Sequence, residues 1–247
     1  MKMTGNTILI TGGTSGIGLG LALRLHDAGN KVIVAGRRKE LLDRITTEHL
    51  GIEALVLDVA DSASIIRAAE TVAASHPRLN VLVNNAGIML RENLLDPASL
   101  PVAEDHVTIN LLGTLRMTYA FLPLLVGKDD PAVINVTSAL AFVPLPITPT
   151  YNATKAALHS FTESLRVQLA DTGVQVIEVA PPGVRTTLLD QQDDENAMPL
   201  EDFLTETLTL LRDQPDAKEL VVERARFVRD AEANGTYDSV LAMLSGL

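Results

Sequence analysis

The chain of 247 residues contains no cysteine and no tryptophan. Without thiols, disulfides and thiolate metal sites are excluded. The five histidines (His26, His49, His76, His106 and His159) fall at no metal-ligand spacing, and no metal is expected. Aromatic residues make up only 3%, and 20 Lys and Arg stand against 31 Asp and Glu, leaving a formal charge of −11. That balance repels phosphate backbones and anionic lipid surfaces, and there are few rings for bases to stack on. Nucleic acid is therefore not an expected partner. No apolar run approaches the ~18 residues a spanning helix needs, so no membrane partner is expected either. Residues 1–5 lead directly into a strand-like segment, not into the apolar core of a signal peptide, and a cytoplasmic protein is the expectation.

What the chain does have is apolar material, 47% of its residues, enough for a large core. Apolar runs rich in Val and Ile at 7–11, 31–35, 54–57, 81–84, 132–137 and 174–179 alternate with amphipathic stretches at 16–28, 39–48, 62–75, 101–125 and 150–171. Near-continuous apolar strands are those covered by helices on both faces. Gly29 and Gly173 stand where helix C-caps would fall. The pattern predicts an α/β fold: a Rossmann-type doubly wound parallel sheet with helices on both faces and right-handed crossovers. No linker interrupts it, so residues 1–247 are read as one domain. After Pro181 the rhythm stops at an acidic loop (Asp190 to Asn196), and residues 200–247 read as mostly helical. A substrate loop and helical tail are thus expected over about 184–247.

The first strand runs into Gly12-Gly13-Thr14-Ser15-Gly16-Ile17-Gly18 and then a helix. Glycines there allow a tight turn and a close approach of pyrophosphate to backbone, while the helix N-terminus offers free N–H groups to the anion. A P-loop is excluded, because Leu19-Gly20 stands where Lys-Ser/Thr is required. Tyr151 and Lys155 are four residues apart, so a helix puts them on one face. A phenol titrating near ~10 is a poor base at neutral pH. An adjacent ammonium favours the phenolate and is expected to bring it closer to the working range. A hydroxyl such as Ser138 can stabilise charge developing on a substrate oxygen.

The spacing Thr11-Gly12-x-x-x-Gly16-x-Gly18 resembles the TGxxxGxG signature of the short-chain dehydrogenase/reductase family. The resemblance continues in order over roughly residues 7–190. Asn84-Asn85-Ala86-Gly87 matches the family's NNAG motif, Asn110 falls in the following helix, and Tyr151-x-x-x-Lys155 lies 13 residues beyond Ser138. Pro182-Gly183, with Thr186 nearby, matches the cofactor-binding PG turn. The tail from Met198-Pro199-Leu200 to Asn234-Gly235 resembles the DltE-type branch, which carries no established substrate.

The resemblance implies a catalytic set of Asn110, Ser138, Tyr151 and Lys155. Tyr151 would donate the proton in reduction or accept it in oxidation, Lys155 would also hold the nicotinamide ribose, and Asn110 would anchor a water in the proton relay. It further implies cofactor contacts from Gly12, Thr14, Ser15, Gly16, Ile17, Gly18, Asp58, Val59, Asn84, Ala86, Gly87, Pro182, Gly183 and Thr186. The second strand ends Gly36-Arg37-Arg38, without the acid that would bind a 2′-hydroxyl. Arg37 or Arg38 can instead take a 2′-phosphate, so NADP(H) is expected over NAD(H).

The expected reaction is hydride transfer between nicotinamide and a small carbonyl or secondary alcohol. The alternative is an NADP(H)-loaded sensor or scaffold without turnover; the intact catalytic set argues against it. A sugar-nucleotide epimerase is disfavoured, since only about 60 residues follow Pro182-Gly183. The apolar stretch 139–147 predicts a substrate pocket with apolar walls, and the acidic loop disfavours a strongly anionic substrate. His159 is expected to pack or to serve an interface. Family members often form tetramers through a C-terminal Asp-Gly-Gly-type ending, which this chain lacks. A homodimer through the helices of Asn110 and Tyr151 is expected, using Ala153, Ala156, Ala157, Leu165 and Leu169. A short seventh strand is expected at 220–222.

Overall fold

A computed structural model describes residues 1–246. Seven parallel strands form one sheet in the order β3-β2-β1-β4-β5-β6-β7. They are β1 (Thr7–Thr11), β2 (Lys31–Gly36), β3 (Glu53–Val56), β4 (Val81–Asn84), β5 (Ala132–Val136), β6 (Gln175–Val179) and β7 (Glu219–Leu220). The chain moves outward from β1 to β3, then crosses back to β4 on the other side of β1. That reversal opens a crevice at the carboxyl ends of β1 and β4, where such sheets bind ligands.

Every residue of β1, β4 and β5 is buried, which is why these strands read as unbroken apolar runs. Side chains alternate faces along a strand, so β1 feeds two cores. Ile8 and Ile10 pack with Leu21 and Leu25 of α1 (Gly16–Asp27) and Leu42 and Ile45 of α2 (Lys39–Glu48). Leu9 faces the opposite layer, with Ile65 and Val72 of α3 (Ser62–Ser75) and Met117 and Phe121 of the fifth helix.

The long helix expected at 101–125 is three pieces: α4 (Leu100–His106), a π-helical stretch (Val107–Leu112) and α5 (Gly113–Leu125). Asn110 sits in the wide middle piece. α6 (Pro149–Gln168) begins with Pro at a position where a missing N–H costs nothing. Gly29 (φ +91°) follows α1 as expected, but Gly173 (φ +75°) lies in a turn beyond the end of α6 and does not cap it.

The tail folds as α7 (Leu200–Asp213), β7, α8 (Glu223–Arg229) and α9 (Tyr237–Ser245). Phe203, Leu204, Ala225 and Val240 join the core on the α1 face. β7 pairs with β6 through Glu178 opposite Glu219 and Val179 opposite Leu220, one residue earlier than the 220–222 expected. Val222 is instead the cap of α8. No helix among the described residues is long and apolar enough to cross a membrane.

Candidate active site

The glycine turn is fixed by what surrounds it. Gly12 has φ +64°, and a Cβ there would stand 2.8 Å from Ala86 Cα. A Cβ on Gly18 would lie 2.3 Å from the Gly12 carbonyl oxygen, so the first turn of α1 can settle against the loop only with glycine. Thr11 Oγ1 accepts from the backbone N–H groups of Asn85 (3.0 Å) and Ala86 (3.1 Å). Asn85 Nδ2 donates to the carbonyls of Thr11 (3.1 Å) and Gly12 (3.2 Å). The two strand ends that flank the crevice are thereby tied together.

Above this turn lies a cleft of about 720 Å³. Its walls include Gly12, Thr14, Ser15, Gly16 and Ile17 from the turn, Arg37 and Arg38 after β2, and Asp58 and Val59 after β3. Ala86, Gly87 and Thr186 complete it. Arg38 Nη2 donates to Thr14 Oγ1 at 3.2 Å, and neither Arg37 nor Arg38 has an acidic partner among the described residues. Asp58 Oδ1 accepts from the Ala60 N–H at 3.0 Å.

Three of the sequence candidates, Gly18, Asn84 and the fully buried Asn110, line neither this cleft nor the one beside it. Gly18 serves packing, as described. Asn84 turns into the helix layer, where its Nδ2 donates to Asn135 Oδ1 (2.9 Å) and Thr118 Oγ1 (3.2 Å). Its neighbour Asn85 lines the cleft with its side chain, so Asn84 has only its backbone to offer a cofactor there. Asn84 is the last residue of β4, and Asn85 follows it in the loop that borders the crevice.

A second cleft of about 490 Å³ opens beside the first, with Ser138, Tyr151, Lys155, Pro182 and Gly183 in its wall. Tyr151 and Lys155 are both buried, and Lys155 Nζ lies 5.6 Å from the Tyr151 ring centroid. That ammonium donates to the Val136 carbonyl at 2.9 Å. Ser138 Oγ accepts from the Leu140 N–H at 3.1 Å. Asn110 spends its amide on Ile88, accepting from its N–H (2.8 Å) and donating to its carbonyl (2.9 Å). Burial pushes the Tyr151 phenol up to about 12, with the Ser138 hydroxyl acting against it. Burial also draws Lys155 down to about 8, opposed by the carboxylate of Glu178. The expectation that the ammonium pulls the phenol towards neutrality is therefore not met. Both groups are buried, and desolvation is the largest cause of each shift.

Three contributions had no motif to announce them. Arg91 lines both clefts. Val228 of α8 and Leu244 of α9 bring the tail into the second cleft, beside Leu140, Leu145 and Ile147. Between the clefts runs Thr186 to Asp190, where Leu189 (φ 54°) and Asp190 (φ 57°) hold left-handed backbone without being glycine. Such strain concentrates in ligand clamps and switch segments.

A buried pair supports the start of α6 from outside the clefts. Glu92, its side chain 1% exposed, accepts from the N–H (3.1 Å) and hydroxyl (2.7 Å) of Thr150, the residue before Tyr151. His106 Nε2 accepts from the Leu90 N–H, so the ring proton is on Nδ1, 3.2 Å from Glu92 Oε1 though without good hydrogen-bond alignment. Burial lowers the His106 pKa, with the charge of Glu92 opposing. The His106 ring meets Tyr151 edge-on at 6.2 Å.

Residues 6–197 match the short chain dehydrogenase family model. The "uncharacterized oxidoreductase DltE" of Bacillus subtilis is 39% identical over 99% of this chain and 98% of its own. Among solved structures, a short chain dehydrogenase from Burkholderia cenocepacia in complex with NADP superposes with TM-score 0.84 at 27% identity, covering 99% of both chains. A 3-ketoacyl-(acyl-carrier-protein) reductase from Brucella melitensis, complexed with NADH, gives TM-score 0.79 at 26% identity over 91% of this chain and all (100%) of that one.

Proposed function

The chain is an oxidoreductase of the short-chain dehydrogenase/reductase family, and from that we propose an NADP(H)-dependent enzyme that moves hydride between the nicotinamide and a carbonyl or secondary alcohol. The observation that carries this reading is the buried Tyr151–Lys155 pair beside Ser138 in the wall of the second cleft, which shares Gly87 and Thr186 with the first.

The residues fit the cofactor. The Gly12 turn leaves no room for a Cβ, as a pyrophosphate cradle requires, and Arg37 and Arg38 flank the cleft without acidic partners among the described residues. The turn would hold the pyrophosphate, Asp58 and Val59 the adenine side, and Arg37 or Arg38 the 2′-phosphate. Tyr151 and Lys155 would hold the ribose, with Pro182, Gly183 and Thr186 at the nicotinamide end. When bound, the cofactor supplies or accepts the hydride. At neutral pH the phenol is protonated and Lys155 is an ammonium, so Tyr151 is poised as the donor that reduction needs. Ser138 stabilises the developing oxyanion and orients the carbonyl.

The second cleft favours a carbonyl compound with an apolar body, because Leu140, Leu145, Ile147, Val228 and Leu244 form much of its wall. The test is NADPH oxidation at 340 nm over a panel of ketones and aldehydes, repeated with NADH. Tyr151→Phe should keep most of its NADPH affinity and lose roughly 100-fold or more in turnover. Near-normal turnover in that variant would overturn the mechanism; tight NADPH binding with no turnover on any carbonyl would favour a sensor. As pH rises through about 8, Lys155 loses its proton, and carbonyl reduction should fall on that alkaline limb.

A further inference from the structure

Below the catalytic pair, α6 carries polar side chains at Lys155, His159, Thr162 and Arg166, a spacing that puts all four on one face. Each is fastened to β5 or β6. Lys155 Nζ donates to the Val136 carbonyl (2.9 Å), and Arg166 Nε to the Val176 carbonyl (3.1 Å). Thr162 Oγ1 accepts from Asn135 Nδ2 (2.9 Å), and His159 Nδ1 meets Glu178 Oε2 (2.8 Å). Only the last of these partners is a full charge, and the Glu178 side chain is 1% exposed.

Glu178 belongs to none of the motifs. Its other oxygen accepts from Thr137 Oγ1 at 2.6 Å. Thr137 stands between Val136, which anchors the Lys155 ammonium, and Ser138. His159 is one helical turn from Lys155. One buried carboxylate thus grips both backbone segments that carry the catalytic groups. The charged groups around it are Lys155 and His159 of α6 and Arg229 of α8. Arg229 is engaged by Glu219 of β7 (2.6 and 2.9 Å), and Glu163 stands 3.8 Å from the outer nitrogen of His159.

We propose that Glu178 is a positioning residue for the proton-transfer pair: a buried carboxylate that, through Thr137 beside Val136 and His159 one turn along α6, holds Lys155 at the Val136 carbonyl beneath Tyr151. The proposal rests on the reading of Tyr151 and Lys155 given above. The charge of Glu178 opposes the desolvation that draws Lys155 down to about 8. The bond to Glu178 raises the His159 pKa, so this imidazole is cationic below its raised value and neutral above it. Loss of that proton removes a cation beside Glu178, so the carboxylate supports Lys155 more strongly when the imidazole is neutral.

The test is Glu178→Gln, which removes the charge and leaves an oxygen and an amide for His159 and Thr137. NADPH affinity and carbonyl kcat/KM are measured over roughly pH 6 to 10. Less negative charge nearby lowers the pKa of an ammonium and of a phenol alike. The alkaline limb should therefore move to lower pH by about one unit in both measurements. A limb coincident with that of the wild type, in a variant with unchanged circular dichroism, overturns the proposal. His159→Gln supplies an arm that keeps the carboxylate: a limb at or above the wild-type position agrees with the proposal, and a lower one overturns it, even if Glu178→Gln does not fold. A wild-type enzyme that reduces no carbonyl would fail the functional reading alone, because the NADPH titration still reports on Lys155.

Discussion

At the residue scale, tolerance is smallest where backbone meets backbone. An alanine methyl at Gly18 would overlap both the Gly12 carbonyl (2.3 Å) and Asn85 Nδ2 (2.4 Å), and neither belongs to a side chain that can swing clear without breaking the bond between them. Gly18→Ala should cost about 1–3 kcal/mol of stability, as overpacking does. It should also weaken NADPH binding by roughly tenfold or more, since about 1.4 kcal/mol of turn distortion suffices for that factor. Thermal melts and a fluorescence titration read the two effects, and unchanged values in both would mean the turn is slack. Arg37 acts differently, through charge at the rim of the cleft. Arg37→Ala should raise the Michaelis constant for NADPH far more than that for NADH, because only the former carries a 2′-phosphate. Equal effects on both would reject phosphate recognition by Arg37. These residues were legible from the sequence because the motif names the chemistry each position must perform. The inward turn of the Asn84 side chain was not legible, because a motif gives order along the chain but not the face of the strand.

At the element scale, the sequence located strands and helices to within a few residues but missed how the stretch after β4 is built. Apolar periodicity runs through residues 101–125 whether the backbone is α- or π-helical, since six residues are too few to separate the two periods. The wider turn is instead associated with tertiary contacts: Asn110, at its centre, bonds both backbone groups of Ile88. The support of α6 was likewise illegible, because Glu92 and Thr150 are 58 residues apart and no local pattern joins them. Glu92 satisfies one of the orphan N–H groups that every helix start presents, and does so immediately before Tyr151. Glu92→Ala should leave the N–H and hydroxyl of Thr150 without their acceptor, at about 1–3 kcal/mol for each buried group so orphaned. Chemical denaturation should show that loss. kcat should fall more than NADPH affinity, because the start of α6 carries Tyr151 while the cofactor rests mainly on other elements. A variant as stable and active as the wild type would mean that α6 is held by its polar face alone.

At the scale of the whole molecule, the outer faces of α5, the π-helical stretch before it and α6 present apolar surface that the subunit does not cover. Tyr119 is 76% exposed, Val167 78% and Leu112 36%, with Ala153 and Ala156 also exposed. Leu165 and Leu169, expected at this interface from the sequence, are buried in the subunit's own core, so the small residues of α6 and the bulkier ones of α5 must form any contact. Two copies related by a two-fold axis can bury such a face in an isologous contact that closes at two subunits. The opposite edge of the sheet offers less: β7 is a two-residue strand, followed by α8 and α9, which pack on the same subunit. A dimer is therefore expected, and light scattering at micromolar concentration should give about twice the chain mass of 26.4 kDa. Tyr119→Glu places a charge at the centre of the proposed contact and should shift the protein to monomers, with NADPH binding largely kept, because Tyr119 lines neither cleft. A stable tetramer would show that the edge beyond β7 supports a second contact after all. A wild-type protein that is strictly monomeric would reject the α5–α6 interface itself.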